Sequence, residues 1–143
     1  RQEKVEHICN YIAQKNIEIP LHVCWESKGG KNCCRCEKCY RTITEIIAEK
    51  GDPTKFNFHL DSNYFSTMKK DIHKRIYMVP NIIVLWKDIQ QRLKQQQNDN
   101  YSSQLSWVKE FNFEKVNHTL SKRVHKAYLK FWSIIHSIYG GAK

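Results

Sequence analysis

Residues 24–39 read Cys24-Trp25-Glu26-Ser27-Lys28-Gly29-Gly30-Lys31-Asn32-Cys33-Cys34-Arg35-Cys36-Glu37-Lys38-Cys39, and five of the chain's 6 cysteines fall inside this stretch. A secreted mini-protein spreads its cysteines to staple distant segments, whereas crowding at two-residue gaps suits a metal centre. Cys24, Cys33, Cys36 and Cys39 form the pattern C-x8-C-x2-C-x2-C. The two-residue gap lets the chain fold back so that successive sulfurs converge on one ion about 2.3 Å away. Gly29 and Gly30 supply the free dihedral angles that bring Cys24 round to close a tetrahedron. Four thiolates with no open position describe a structural zinc site. The alternatives are disulfides, or free thiols in a reducing compartment. An iron–sulfur cluster is the less favoured metal option, because the C-x3-C-P continuation of a ferredoxin run is missing and the fourth cysteine lies upstream. Cys34 stays outside the quartet as a neighbouring or free thiol, since Cys34-x-Cys36 is too tight for the usual knuckle. Cys9 reads as plain core.

Working outward, Val5, Ile8, Cys9 and Ile12 recur at helical spacing and predict an amphipathic helix over residues 2–15. Pro20 ends any helix there, and Leu21-His22-Val23-Cys24-Trp25 reads as a short strand delivering the first ligand. Downstream, Ile43, Ile46 and Ile47 predict a helix over 37–50 that starts inside the metal site and stops at Gly51. Asp52-Pro53 marks a turn. Phe65, Met68, Ile72 and Ile76 form a third periodic set, and Pro80 suits the first position of a fourth helix carrying Ile82, Leu85, Trp86, Ile89 and Leu93. The polar run from Gln90 to Asn100 reads as a linker or a fraying helix end. Beyond it, Phe113, Val116, Leu120, Val124, Ala127, Phe131, Ile135 and Ile138 predict one long helix, closed by Gly140-Gly141. The fold class expected is mainly α, a helical domain with a four-cysteine zinc knuckle after one short strand. A boundary near residues 52–62 divides it into a helix–strand–knuckle segment, 1–55, and a helical tail, 56–143.

A chain of 143 residues is about one domain long. Hydrophobic residues at 41% supply a real core and exclude disorder. No apolar run reaches the roughly 18 residues of a membrane span. The chain opens Arg1-Gln2-Glu3-Lys4 with no methionine and no basic-then-apolar leader, so the start reads as a cut inside a longer chain. Together with the metal-type cysteines, this makes a cytoplasmic protein with no membrane partner the expectation. The net charge of +10 favours anionic partners such as nucleic acid, nucleotide phosphates or acidic lipid headgroups, without choosing among them.

Catalytic signatures are missing: there is no G-x-S-x-G, no G-x4-G-K-[ST], no H-E-x2-H and no G-x-G-x2-G. The 7 histidines are scattered. Lys115, Lys122, Lys126 and Lys130, with Arg123 nearby, form a basic stripe opposite the apolar one on the last helix, a solvated face or a track for phosphates. Trp86 and Trp132 sit in apolar stripes and read as core. Asn117-His118-Thr119 matches a glycosylation sequon and is taken as accidental.

At Leu21–Trp25 and along Asn32-Cys33-Cys34-Arg35-Cys36-Glu37-Lys38-Cys39-Tyr40-Arg41-Thr42 the sequence resembles the C-terminal zinc segment of ATP-pyrophosphatase (PP-loop) enzymes of the 7-cyano-7-deazaguanine synthase type. That family also closes with a cysteine, an eight-residue loop and two CxxC steps. The resemblance spans residues 1–50 and implies zinc ligation by Cys24, Cys33, Cys36 and Cys39. It further implies that the chain is the zinc-bearing C-terminal part of a larger PP-loop ATPase-like enzyme, or a stand-alone descendant that kept the knuckle. In the first case its partner is an N-terminal nucleotide-binding domain of the same protein, and Lys28, Lys31, Arg35, Lys38 and Arg41 face the nucleotide or an acidic substrate. The family's S-G-G-x-D-S loop has no counterpart here, so no ATP chemistry is assigned to these residues. Two other readings stand beside this one: a zinc-containing nucleic-acid-binding module with a basic helical face, and a helical docking or oligomerisation domain.

Overall fold

The computed structural model describes residues 1–27, 29–95, 101–118, 122–124, 126–128 and 130–131. The elements are α1 (Gln2–Lys15), α2 (Glu37–Ala48), a 3-10 turn (Pro53–Phe56), α3 (Tyr64–Lys74), α4 (Pro80–Gln95), α5 (Ser102–Glu110) and a second 3-10 turn (Phe113–Lys115). The mainly α expectation holds. α1 has the predicted bounds, and α4 starts at the predicted proline.

α2 is the centre of the molecule. Its residues from Cys39 to Ala48 are all buried, although they include Arg41, Thr42, Thr44 and Glu45. A helix polar on one face can be buried all round only if most of those groups find partners, and here the Thr42 hydroxyl is left without one. Thr44 Oγ1 donates to Tyr40 O at 2.8 Å. Glu45 accepts two bonds from Arg1, at 2.7 and 2.9 Å. Arg41 Nε donates to Glu37 Oε1 at 2.9 Å, and the same oxygen accepts from the indole N–H of Trp86 at 3.0 Å. This chain of charges ties the start of α1 and the middle of α4 to α2. Trp86 is fully buried, as its stripe predicted, and stacks on Phe113 with ring centroids 5.2 Å apart.

α2 ends two residues before its predicted stop. Gly51 N donates to Ile46 O and Lys50 N to Ile47 O, both at 2.9 Å, so the left-handed residue that closes the helix is Lys50, with φ 59°. Gly51 is required for another reason: a Cβ there would lie 2.5 Å from Cys9 Sγ and 2.8 Å from the Ile46 methyl. α1 packs that close to the end of α2.

The described residues contain no β-strand, which corrects the strand expected at Leu21–Trp25. The segment is extended, but it runs beside a helical turn, not another strand. Ile19 N donates to Lys55 O and Leu21 N to Phe56 O, and no ladder can continue along a 3-10 turn.

The polar run is also more ordered at its start than expected. Gln90 Nε2, on α4, donates to Val108 O at 2.7 Å and Phe111 O at 2.8 Å and so caps the end of α5. Residues 96–100 lie outside the described residues. α5 was not anticipated. The single long helix from Phe113 is corrected as well: Phe113 and Val116 are buried, but in a 3-10 turn and the turn after it. Asn112 starts that turn by accepting from Glu114 N and Lys115 N. Helical backbone is present at 122–124, 126–128 and 130–131. Leu120, Trp132, Ile135 and Ile138, assigned to the same apolar stripe, lie outside the described residues.

Candidate metal centre

The ligand-bearing segments arrive from three directions. Cys24 ends the extended stretch after Pro20. Cys33 follows the loop turned by Gly29 and Gly30, whose φ values of 94° and 77° are open to glycine and strained for side chains. Cys36 and Cys39 belong to the start of α2. Cys36 is the N-cap residue, its sulfur accepting from Cys39 N at 3.5 Å. One sulfur therefore both faces the centre and satisfies a backbone donor that the helix start would otherwise leave unpaired.

The four sulfurs all lie within 4.8 Å of one another, and this is the metal-competent group found among the described residues. Cys24 Sγ is 3.9 Å from Cys36 Sγ, and Cys33 Sγ is 3.9 Å from Cys39 Sγ. Those separations are far above the roughly 2.05 Å of a disulfide, and all six cysteines are free. Backbone N–H groups point at the sulfurs, with Ser27 N 3.3 Å from Cys24 and Arg35 N 3.3 Å from Cys33. Such donors stabilise negative sulfur.

Proton distribution follows from the same contacts. Cys36 is drawn down to about 5, because the Cys39 thiol and backbone N–H both donate to it and outweigh burial. Cys39, donor in that bond and buried, is pushed far up. Burial raises Cys33 to about 11. Burial opposes the charge on Cys24 too, but hydrogen bonds from Cys33 and Ser27 hold it below the ordinary thiol range. Without metal the negative charge therefore gathers first on Cys36, while Cys33 and Cys39 hold their protons. A divalent cation can displace the protons that remain, leaving four thiolates around it.

Cys34 is buried beside the centre but turned away, with φ 55° and its sulfur 3.7 Å from Asn32 O. Cys9 is buried between α1 and α2 and pushed up to about 11 by burial and by Glu49.

Of the five cations suggested for anion contact, Lys28 lies outside the described residues and Lys31 is exposed. Arg35 pairs with Asp61 and lies 5.4 Å from the Tyr64 ring centroid. Lys38 Nζ sits 4.5 Å from the ring centroid of Trp25, a side chain 84% exposed. Arg41 is buried between Glu37 and Glu45. The basic stripe changes too. Lys115, Arg123, Lys126 and Lys130 are exposed, but Lys122 is buried, donating to Val116 O at 2.7 Å and to Ile72 O in the last turn of α3. Of these cations Lys122 alone turns inward, while Val124 and Phe131 of the expected apolar stripe are exposed.

Sequence reasoning missed Asn32. Its side-chain amide donates to Leu21 O at 2.6 Å and its oxygen accepts from Val23 N at 3.0 Å, so it serves the Cys24 segment as a strand partner would. The available signal was an amide residue directly before the first knuckle cysteine. Asn117 plays a similar role further on, exchanging bonds in both directions with the backbone of Met78. The described residues contain no helix long and apolar enough to cross a membrane. The chain matches no family model, and no match is found among curated proteins or solved structures.

Proposed function

We propose that Cys24, Cys33, Cys36 and Cys39 bind one structural zinc ion, and that the domain is the zinc-bearing C-terminal part of a PP-loop ATPase-like enzyme, positioning the reacting parts without performing the chemistry. The observation that carries the zinc assignment is the sulfur geometry. Four thiolates at about 2.3 Å from one ion stand about 3.8 Å apart in a tetrahedron, and the separations here are 3.9 Å across both pairs. A space that keeps all four sulfurs within 4.8 Å suits a single ion and leaves no room for a cluster of several irons and bridging sulfides. All-sulfur tetrahedral coordination favours zinc among single ions. Four protein ligands leave no open position for water or substrate, so the role is structural.

The wider assignment rests on the resemblance of residues 1–50. The absence of a catalytic motif and the central place of α2 support a scaffold role. Bound zinc contributes an apparent ~10–16 kcal/mol in small sites, comparable with the ~5–15 kcal/mol net stability of a whole domain.

Elemental analysis of purified protein tests the first part. One zinc per chain is expected, and Cys36→Ser and Cys39→Ser should lose both the metal and helical circular dichroism. Iron with visible absorption, or a metal-free protein of unchanged helicity and melting temperature, would refute it. The enzyme assignment is tested by reading the complete transcript, where an S-G-G-x-D-S loop encoded upstream in the same frame is expected. A complete frame without such a loop removes that assignment and leaves the zinc site standing.

A further inference from the structure

The sulfur site is one end of the molecule's chemistry. A second feature lies between the start of α4 and the terminal helical residues, where a groove of about 760 Å3 opens to solvent. Tyr77, Pro80 and Ile83 give it apolar and aromatic surface, with Met78 buried behind them. Arg123, Lys126 and Lys130, from the later helical residues, line the same groove. All three cations are exposed, and none has an ion-pair partner among the described residues. The one acid in the lining, Glu114, is already paired with Lys87 at 2.9 Å. The groove is therefore cationic, with its acid neutralised.

Its walls are anchored. The Asn117 side chain is bonded in both directions to the backbone of Met78, which holds the apolar wall against the chain leading to the cations. Lys122 reaches the opposite way, into the core, and fixes the first helical turn of the basic side on Ile72 and Val116. Successive cations three and four residues apart lie along one edge of a helix, and their full span of seven residues is about 10 Å.

We propose that this groove binds single-stranded nucleic acid, its phosphates following Arg123, Lys126 and Lys130 and a base resting against Tyr77, Pro80 and Ile83. A cationic track beside an apolar and aromatic wall is the combination that sequence-tolerant single-strand binding uses. Charge complementarity selects the ligand: a polyanion with planar apolar faces satisfies both walls, whereas an inorganic anion satisfies one. This assignment does not depend on the zinc reading.

The test uses the full chain in its metal-loaded form and a fluorescein-labelled eight-residue oligothymidylate, with binding followed by anisotropy across a salt series. The expected slope of log K against log salt is about −2, the value for roughly three phosphates neutralised on a single strand. Replacing Arg123, Lys126 and Lys130 together by Gln should weaken binding at least about tenfold and flatten the slope. Removing equal charge elsewhere, with Lys4, Lys15 and Lys69 changed to Gln, should leave both unchanged; these lysines are exposed and outside the groove. Tyr77→Leu should weaken oligothymidylate binding severalfold while leaving binding of inorganic polyphosphate unaltered. Equal losses in the two triple variants, or a slope that survives the groove variant, would overturn the proposal. Polyphosphate displacing the oligonucleotide as well at equal charge would do the same. Metal content measured on the same samples should not change, so failure here and failure of the zinc assignment are told apart.

Discussion

Replacing Glu45 by Ala should destabilise the domain far more than an ordinary charged-residue substitution. Glu45 is 1% exposed and Arg41, one turn earlier on α2, is 4% exposed. Their closest approach is 3.7 Å, between Arg41 Nη1 and Glu45 Oε1, and Arg41 Nη1 has no other polar partner. Glu45 also takes both bonds from Arg1, whose side chain is 46% exposed. In Glu45→Ala, Arg41 keeps only Glu37, an oxygen it already shares with Trp86. Removing one partner of a buried pair costs ~3–5 kcal/mol, because the surviving charge stays out of water. The half-exposed Arg1 contact adds ~0–1 kcal/mol. Against a net stability of ~5–15 kcal/mol, that loss is enough to leave much of the protein unfolded under mild stress. The companion variant Arg41→Met with Glu45→Leu removes both charges at similar volume, and should stay near the parent or exceed it by ~1–4 kcal/mol. Urea unfolding of metal-loaded protein at pH 7, followed by circular dichroism, measures both. A loss below about 1 kcal/mol for Glu45→Ala, or a double variant as unstable as the single one, would show that this pair is not held out of solvent and that α2 is not the core helix.

Asn32→Ala should lower metal affinity about 10–100-fold, the usual effect of losing a group that orients a ligand segment; competition against a chromophoric chelator measures it, and unchanged affinity would remove the positioning role. Lys122→Met should alter the pH profile of stability. Burial lowers Lys122 from its ordinary 10.5 to about 8, so between those values the unfolded chain holds the proton that the folded one has released. The stability of the parent therefore rises with pH across that window, by at most about 3 kcal/mol, while below pH 8 both states are protonated and the full penalty of the buried charge remains. Thermal melts from pH 7 to 10.5 should show the rise in the parent relative to Lys122→Met; parallel profiles would mean that Lys122 is solvated.

Much of this architecture was legible because local signals and tertiary packing agreed. α1, α2 and α4 carry apolar positions at helical spacing, and Pro80 and the cysteine gaps mark their starts. The sulfur quartet was readable from spacing alone, since two-residue steps leave few ways to arrange the side chains. α5 was hidden because, over nine residues, only Leu105 and Val108 are buried and a polar tract precedes them. The segment at Leu21–Trp25 looked like a strand because its residues favour extended backbone, but what an extended segment pairs with is a tertiary fact. Here the partners are the Asn32 amide and a 3-10 turn. Lys122 misled for a related reason. A lysine at helical spacing reads as solvated until two backbone carbonyls, at Ile72 and Val116, are found waiting for its ammonium group. Arg41 is similar, since its charge answers Glu37 and Glu45 on the same helix and not a ligand.

Cys36 and Cys39 open α2, and nearly everything else in that helix is core. Starting a helix is the improbable step, because three residues must be ordered before one hydrogen bond is gained. The ion proposed for the sulfur quartet would, by gripping positions 36 and 39, hold that first turn in place and leave propagation through Ala48 favourable. On that reading ion capture and collapse of the interior would be coupled, and maturation of newly made chains would quicken as the free ion concentration rises.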